Sequence, residues 1–323
     1  MSTLIAAVRH LSLGRLAASI FEAFGVLWLA VEISAFFSTG FSSGVKAYWW
    51  AFALVGLTFG LYRAWPGLIV SQTVQGTDCT ICVRVCDILK LREVALVVGT
   101  NTTFDTDLSD GTISPGSVQG QITTKLVASS IQLGRDIAHS LDQTAATDVP
   151  RDEKPYGNSK RYPIGTVAVV DVGTRRIYFA AIATLNAHRV AHATRRDIAD
   201  ALPRIWEHIR ERGGIDPIAC PVLGSGFSRL DATREELVRE IIRSFVPAAR
   251  AGMFCRGLTI AISPRDFRDG YVNINDVGQF LAHECRYGSA GLSRGIDSPA
   301  NLWDWTMEHA TNVSGARASD SSA

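Results

Sequence analysis

Hydrophobic residues fill the chain from Leu16 to Phe37, LAASIFEAFGVLWLAVEISAFF, with only Glu22 and Glu32 charged. About 20 apolar residues cross the hydrocarbon core of a bilayer as a helix, so this run predicts a membrane span. After a short turn carrying Lys46, the run YWWAFALVGLTFGLYRAW, Tyr48 to Trp65, places tyrosine and tryptophan near both ends, as in the aromatic belts of membrane interfaces. The two runs predict a transmembrane hairpin over about 16–37 and 48–65, preceded by a segment of residues 1–15. A cleaved signal would be shorter and would end in small residues rather than in a second span. Arg9 and Arg15 precede the pair, and Arg63, Lys90 and Arg92 lie at its end or beyond. That bias predicts that both ends face the cytosol.

Beyond Pro66 the pattern shifts to short β-rich runs alternating with longer helical ones. It predicts an α/β domain over 66–290 with a mixed, largely parallel sheet flanked by helices. GLIVSQTV, TICVRVCDIL and VALVVG read as strands, and CDILKLREVALVVGTN, Cys86 to Asn101, as one buried strand running into a Gly-Thr-Asn turn. A helix is expected from Val118, another over IQLGRDIAHSLDQT, and an exposed loop over Val149–Pro163, which holds Pro150, Pro155 and Pro163. TVAVVDV and RRIYFAAIA read as paired strands, then a helix from about Ala193 to Arg212, a buried strand PIACPVLG, a helix capped by Asp231, and a last strand LTIAIS. Residues 291–323 read as a C-terminal extension, small and polar after Ala310 and partly disordered.

Net charge is +1 with 20% charged residues, which removes the long-range field that recruits nucleic acid. The six cysteines lack the spacing of a secreted disulfide framework and fit a reducing cytosol. Cys82 and Cys86 share a strand face but stand about 13 Å apart along it, too far for one tetrahedral ion. His188 and His192 have helical metal-pair spacing, but their basic setting reads as a solvated helix start. No metal and no cofactor is expected.

Ten residues separate Glu22 from Glu32, which puts them within about 80° of each other on one side of a helix. Acids inside a membrane are costly and are candidates for membrane function, or hold helices together. Gly56 and Gly60 form a small-xxx-small pair that lets another helix approach closely.

Two turns follow strand ends, VVGTNTTFDT and CPVLGSGFSRLD. In open α/β sheets ligands bind at that edge. Gly224 and Gly226 permit a backbone whose N–H groups converge on a diphosphate, and Ser225 and Ser228 add hydroxyl donors. No Walker-type or Gly-x-Gly-x-x-Gly fingerprint is present. Asp105, Asp107 and Asp110 beside Phe104 read either as a solvated acidic loop or as partners for a cationic ligand group.

With these residues in order, the chain from Gly67 to Ser263 resembles a macro domain, a fold that binds ADP-ribose-type ligands. The resemblance implies that Asp87 contacts the adenine with Ile88 beside it, and that Asn101 lies at the distal ribose. SPGSVQGQI resembles the family's first phosphate loop, which implies diphosphate contacts for Gly116, Ser117 and Val118. CPVLGSGFSRLD resembles the second, implying Gly224, Ser225, Gly226, Phe227 and Ser228. Val98 stands where many macro domains carry an asparagine, and TTFDTDLSD replaces a hydrophobic stretch; these departures point away from hydrolysis. With the hairpin ahead of it, and with Thr102, Phe104 and Asp105 in GTNTTFDT, the chain more narrowly resembles the two-span membrane-macro effectors of type II Thoeris antiphage defence, a ThsA-like group. That implies a binder, not an enzyme, for a histidine-ADP-ribose-class signal made from NAD by a partner TIR-domain protein. It further implies homo-oligomerisation on activation, disruption of the bacterial inner membrane lipid and abortive infection. A membrane-tethered ADP-ribosyl hydrolase, or a scaffold for ADP-ribosylated partners, are the alternatives.

Overall fold

The computed structural model describes residues 13–37, 50, 54–59, 67–127, 129–212, 215–226, 230 and 232–288. The first expected span is a continuous helix, α1 (Leu13–Phe37), on which Phe21, Trp28 and Phe36 are exposed together with Glu22 and Glu32. Of the second, residues 54–59 are helical, and most of the rest, Gly60 included, lies outside the described residues. Gly56 is buried against α1: a Cβ there would meet the Phe24 ring at 3.0 Å. The close approach expected of another helix is made, at Gly56, by α1 of the same chain. Among the described residues no helix is long and apolar enough to cross a membrane.

Ten strands follow: β1 (Ile69–Thr73), β2 (Thr80–Val85), β3 (Ala95–Asn101), β4 (Thr147–Asp148), β5 (Lys160–Arg161), β6 (Val167–Val172), β7 (Arg175–Leu185), β8 (Ala191–His192), β9 (Ile218–Pro221) and β10 (Gly257–Ile262). The main sheet runs β1-β2-β10-β9-β3-β7-β6, with β8 paired to β7. From β2 to β7 every pairing is parallel, and β1, β6 and β8 are antiparallel additions. The mixed, largely parallel sheet flanked by helices is the expected architecture.

Both faces of the sheet are covered, which explains why β3 reads as an unbroken apolar run. Ala95 and Val97 join one core and Leu96 and Val98 the other, following the period of two. The first core holds the buried stripes of α4 (Arg195–Arg212) and α5 (Arg234–Ala251), where Ile198, Leu202, Ile205, Trp206 and Ile209 keep helical spacing. The Trp206 ring stands edge-on to Phe245 at 5.2 Å, and its Nε1 donates to Ser244 Oγ at 3.0 Å. The second core is closed by Leu133, Ile137 and Leu141, from and just beyond α3 (Ser130–Ser140), together with Phe104 and Ile122.

Several local expectations change. Cys86–Asn101 is not one strand: Asp87 caps a 3-10 turn, Ile88–Lys90, and the chain re-enters the sheet only at Ala95. The helix begun at Val118, α2 (Val118–Ile122), gives way to π geometry over Thr123–Val127. His188 and His192 do not start a helix, because Asn186 Oδ1 accepts from His188 N and Val190 N and closes a turn before β8. The cap of α5 is Thr233, in a reciprocal capping box with Glu236, and Asp231 lies outside the described residues. Among the described residues two helices lie beyond β10, α6 (Pro264–Arg268) and α7 (Ile274–Tyr287). Residues 149–163 are not simply exposed: β4 pairs with β5, and Lys154 and Tyr156 are buried. Residues 289–323, the expected extension, lie outside the described residues.

All six cysteines are free thiols, and among the described residues no group of three or more His, Cys, Asp or Glu is placed to hold a metal ion. Burial pushes the Cys220 thiol up to about 12. An unfolded cysteine ionises near 8.5, so raising pH between these values favours the unfolded chain. At pH 8, iodoacetamide is expected to spare Cys220 in the native protein and to label it fully in urea; native labelling at the exposed-thiol rate would contradict this burial.

Candidate ligand-binding cleft

The carboxyl ends of the five parallel strands share one edge, and a cleft of about 870 Å³ opens there. That is the edge at which open α/β sheets take ligands. Its walls come from segments far apart in the sequence: the turn after β2, the end of β3, the loop ahead of α2, the ends of β7 and β9, and α6.

On one side lie Asp87 and Ile88. Asp87 has a local duty, since its Oδ1 accepts from Leu89 N at 3.1 Å and so caps the 3-10 turn. An ionised carboxylate offers about four lone-pair sites, so this bond leaves acceptor capacity. Across from β3 stand Arg234 and Tyr271, which the sequence reading missed. The Arg234 guanidinium lies 4.3 Å from the Tyr271 ring centroid and pairs with Asp266 at 2.8 Å, joining α5 to α6. The Ser263-Pro264 step was the available signal, a serine cap with proline at the first helical position.

Two loops contribute to the lining. Gly116, Ser117 and Val118 come from one, Gly224, Ser225 and Gly226 from the other; Phe227 and Ser228 lie outside the described residues. The hydroxyls of Ser117 and Ser225, the latter expected as a donor to a ligand, are bound to their own loops. Ser117 Oγ donates to Ser114 O at 2.7 Å and accepts from Gly120 N at 3.0 Å, while Ser225 Oγ donates to Val222 O at 2.6 Å. They shape the turns and leave recognition to the backbone. Gly224 requires its residue type, with φ +80° and Leu230 and Ile198 side chains 3.1–3.2 Å from where a Cβ would stand.

Asn101 ends β3 on the cleft wall and is 4% exposed. Its Oδ1 accepts from Thr103 N at 3.0 Å, Thr103 Oγ1 at 2.8 Å and Asp105 N at 3.3 Å. Its Nδ2 is buried with no hydrogen-bond partner in the chain, as is Thr100 Oγ1 beside it on β3, while Thr112, also in the cleft lining, is bound to Asp110. Buried polar atoms are almost always paired, so two unsatisfied ones at one strand end mark a place for a polar ligand. Thr100 and Thr112 were not singled out in the sequence, where a lone threonine carries no pattern. Val98 adds an apolar patch to the same wall.

Thr102, Phe104 and Asp105 do not line the cleft. Thr102 is fixed through its backbone, its N–H donating to Ala183 O and its carbonyl accepting from Tyr162 N. Phe104 turns into the second core, edge-on to Tyr162 at 5.4 Å. Asp105 is 2% exposed and paired with Lys154 at 3.1 Å. Asp107 holds Ser109, and Asp110 caps Thr112 N and faces Arg189 at 3.5 Å.

Comparison with solved structures finds macrodomains at low identity. The chain is similar to the Oceanobacillus iheyensis macrodomain with ADP (13% identity, 67% of this chain and 96% of that one, TM-score 0.43). It is also similar to the Thermus aquaticus DarG macrodomain (17% identity, 55% and 95%, TM-score 0.37). A third is the Trypanosoma brucei macrodomain in complex with ADP-ribose (14% identity, 59% and 67%, TM-score 0.38). No curated protein matches the chain. The family model "Thoeris protein ThsA, Macro domain" matches residues 81–263, from β2 to the end of the last strand and more than half of the chain. By that match the chain belongs to the ThsA macro domain family of Thoeris proteins.

Proposed function

We propose that the cleft binds an ADP-ribose-derived nucleotide and that the chain is a signal-gated membrane effector of antiphage defence. The observation that carries the binding part is the end of β3 on the cleft wall, where Asn101 Nδ2 and Thr100 Oγ1 are buried without partners. Two glycine-containing loops in the lining suit a diphosphate, and membership of the family supports the same ligand class. In this reading the signal belongs to the histidine-ADP-ribose class and comes from a partner TIR-domain enzyme. The ligand is read and not turned over.

The membrane part stands on the two apolar runs of sequence and on the large apolar side chains left bare on α1, a surface that water does not favour. It places the hairpin in the bacterial inner membrane with the α/β domain in the cytosol. Ligand then drives homo-oligomerisation and membrane disruption, which requires that it bind the assembled state more tightly than the unassembled one.

The test is calorimetry of the full chain with ADP-ribose and histidine-ADP-ribose, followed by mass spectrometry of the ligand. Binding with the ligand recovered intact is the expected result, accompanied by ligand-dependent dye release from loaded vesicles. Catalytic consumption would replace the effector with the hydrolase alternative, and absence of binding would remove the ligand assignment.

A further inference from the structure

A buried cation stands in a loop that the cleft does not use. Lys154 is 1% exposed, and its Nζ donates to Asp105 Oδ1 at 3.1 Å, Tyr156 O at 2.8 Å and Asn158 O at 2.9 Å. All three ammonium protons are placed. A lysine is almost never fully buried, and when it is, it is paired. Here the partner is the carboxylate next to the turn that holds Asn101.

We propose that Lys154 is a positioning residue for the distal end of the ligand, acting through Asp105 to fix the Asn101 amide with its NH2 turned into the cleft. The inference rests on the nucleotide reading of the cleft and adds to it a residue that never meets the ligand. Two backbone N–H groups, of Thr103 and Asp105, point at one atom of the Asn101 amide. That atom must be the acceptor, which leaves the NH2 for the cleft.

The link from Asp105 to Asn101 is the Thr103 hydroxyl. It lies 2.8 Å from Asn101 Oδ1 and 2.5 Å from Asp105 Oδ2, with a single proton for two acceptors. Lys154 Nζ stands 3.1 Å from both carboxylate oxygens, and the Asn158 N–H donates to Oδ1 at 2.7 Å. Without Lys154 the buried carboxylate loses its counter-charge, and the Thr103–Asp105 turn whose backbone N–H groups fix Asn101 Oδ1 loses its anchor. The same loop is stapled again by Asn158 Nδ2, which donates to Thr103 O and Phe104 O at 3.0 Å each. Gly157 makes the approach possible: at φ +60° a Cβ there would stand 2.1 Å from Asp105 Oδ1 and 3.0 Å from Lys154 Nζ. The insertion between β4 and β5 thus sets the donor at the distal end of the cleft.

The experiment compares wild type, Lys154→Met and Gly157→Ala as full chains, each titrated with ADP-ribose and with ADP, which lacks the distal ribose. Both variants are expected to keep ADP affinity within about twofold and to lose about tenfold for ADP-ribose, the worth of one hydrogen bond. In an Asn101→Ala background neither substitution should cost anything further. A loss shared equally by the two nucleotides, or no loss, overturns the proposal. Should Lys154→Met not fold, Gly157→Ala decides, since it leaves both charges in place. A ligand-free readout separates the inference from the reading beneath it: deuterium exchange at the Thr103 and Asp105 amides should quicken in either variant. Wild-type rates there would sink the relay, whereas a wild-type chain that binds neither nucleotide while exchange quickens would sink only the assigned occupant.

Discussion

A Gly120→Ala variant is expected to bind ADP-ribose about 10- to 100-fold more weakly than the wild-type chain. The added Cβ would stand 2.2 Å from Ser114 O and 2.9 Å from Pro115 Cα. Both are backbone atoms, so no side chain can rotate out of the way, and the segment Ser114–Ser117 must move. Ser117 is pulled with it, because its hydroxyl accepts from Gly120 N. That segment is one of the two glycine-containing loops in the cleft lining. Losing one hydrogen bond to a charged phosphate costs about 1.5–3 kcal/mol, which converts to the stated range. Calorimetry beside a thermal melt checks it: unchanged affinity in a variant that melts like wild type would mean the first loop does not hold the ligand.

The largest loss of stability is expected from Trp206→Ala, at about 3–5 kcal/mol. The indole is fully buried among Phe245 and Phe254, with centroids at 5.2 and 6.5 Å, at the junction of α4 and α5. Its removal leaves a cavity between two long helices and strips Ser244 Oγ of its donor. Chemical denaturation of the full chain would show a lower midpoint with an unchanged slope. Trp206→Phe should lose much less, because a ring still packs on Phe245. A Trp206→Ala chain as stable as wild type would mean that the core collapses onto the vacated site.

The central sheet was legible because buried parallel strands read as continuous apolar runs. One strand end was legible as a glycine turn, which is how Gly224 was picked out, whereas Asn101 and Gly116 came from the resemblance to macro domains. Asp105 was misplaced for a physical reason. An aspartate in a polar stretch looks solvated or ligand-facing, and its true partner, Lys154, sits 49 residues away in another polar stretch. No periodicity marks a long-range buried pair. Phe104 was misplaced likewise: it follows a strand end but adopts φ 50° and swings its ring into the core. Helix α7 carried a readable pattern, Ile274, Val277, Leu281 and Cys285 on one buried face, yet lies beyond the last strand, where the sequence reading stopped.

The strand order has a consequence for the chain as it is made. β10, the last strand in the sequence, lies in the interior of the sheet, between β2 and β9. A chain still on the ribosome therefore lacks a middle strand until residue 262 has emerged, and the gap falls under the cleft, whose wall includes Ala261 and Ser263. Such non-local pairing also makes closure of the sheet a late event. The two apolar runs are synthesised before the cleft is complete, so an unfinished chain already carries the segment proposed to enter the membrane but lacks the cleft proposed to gate it.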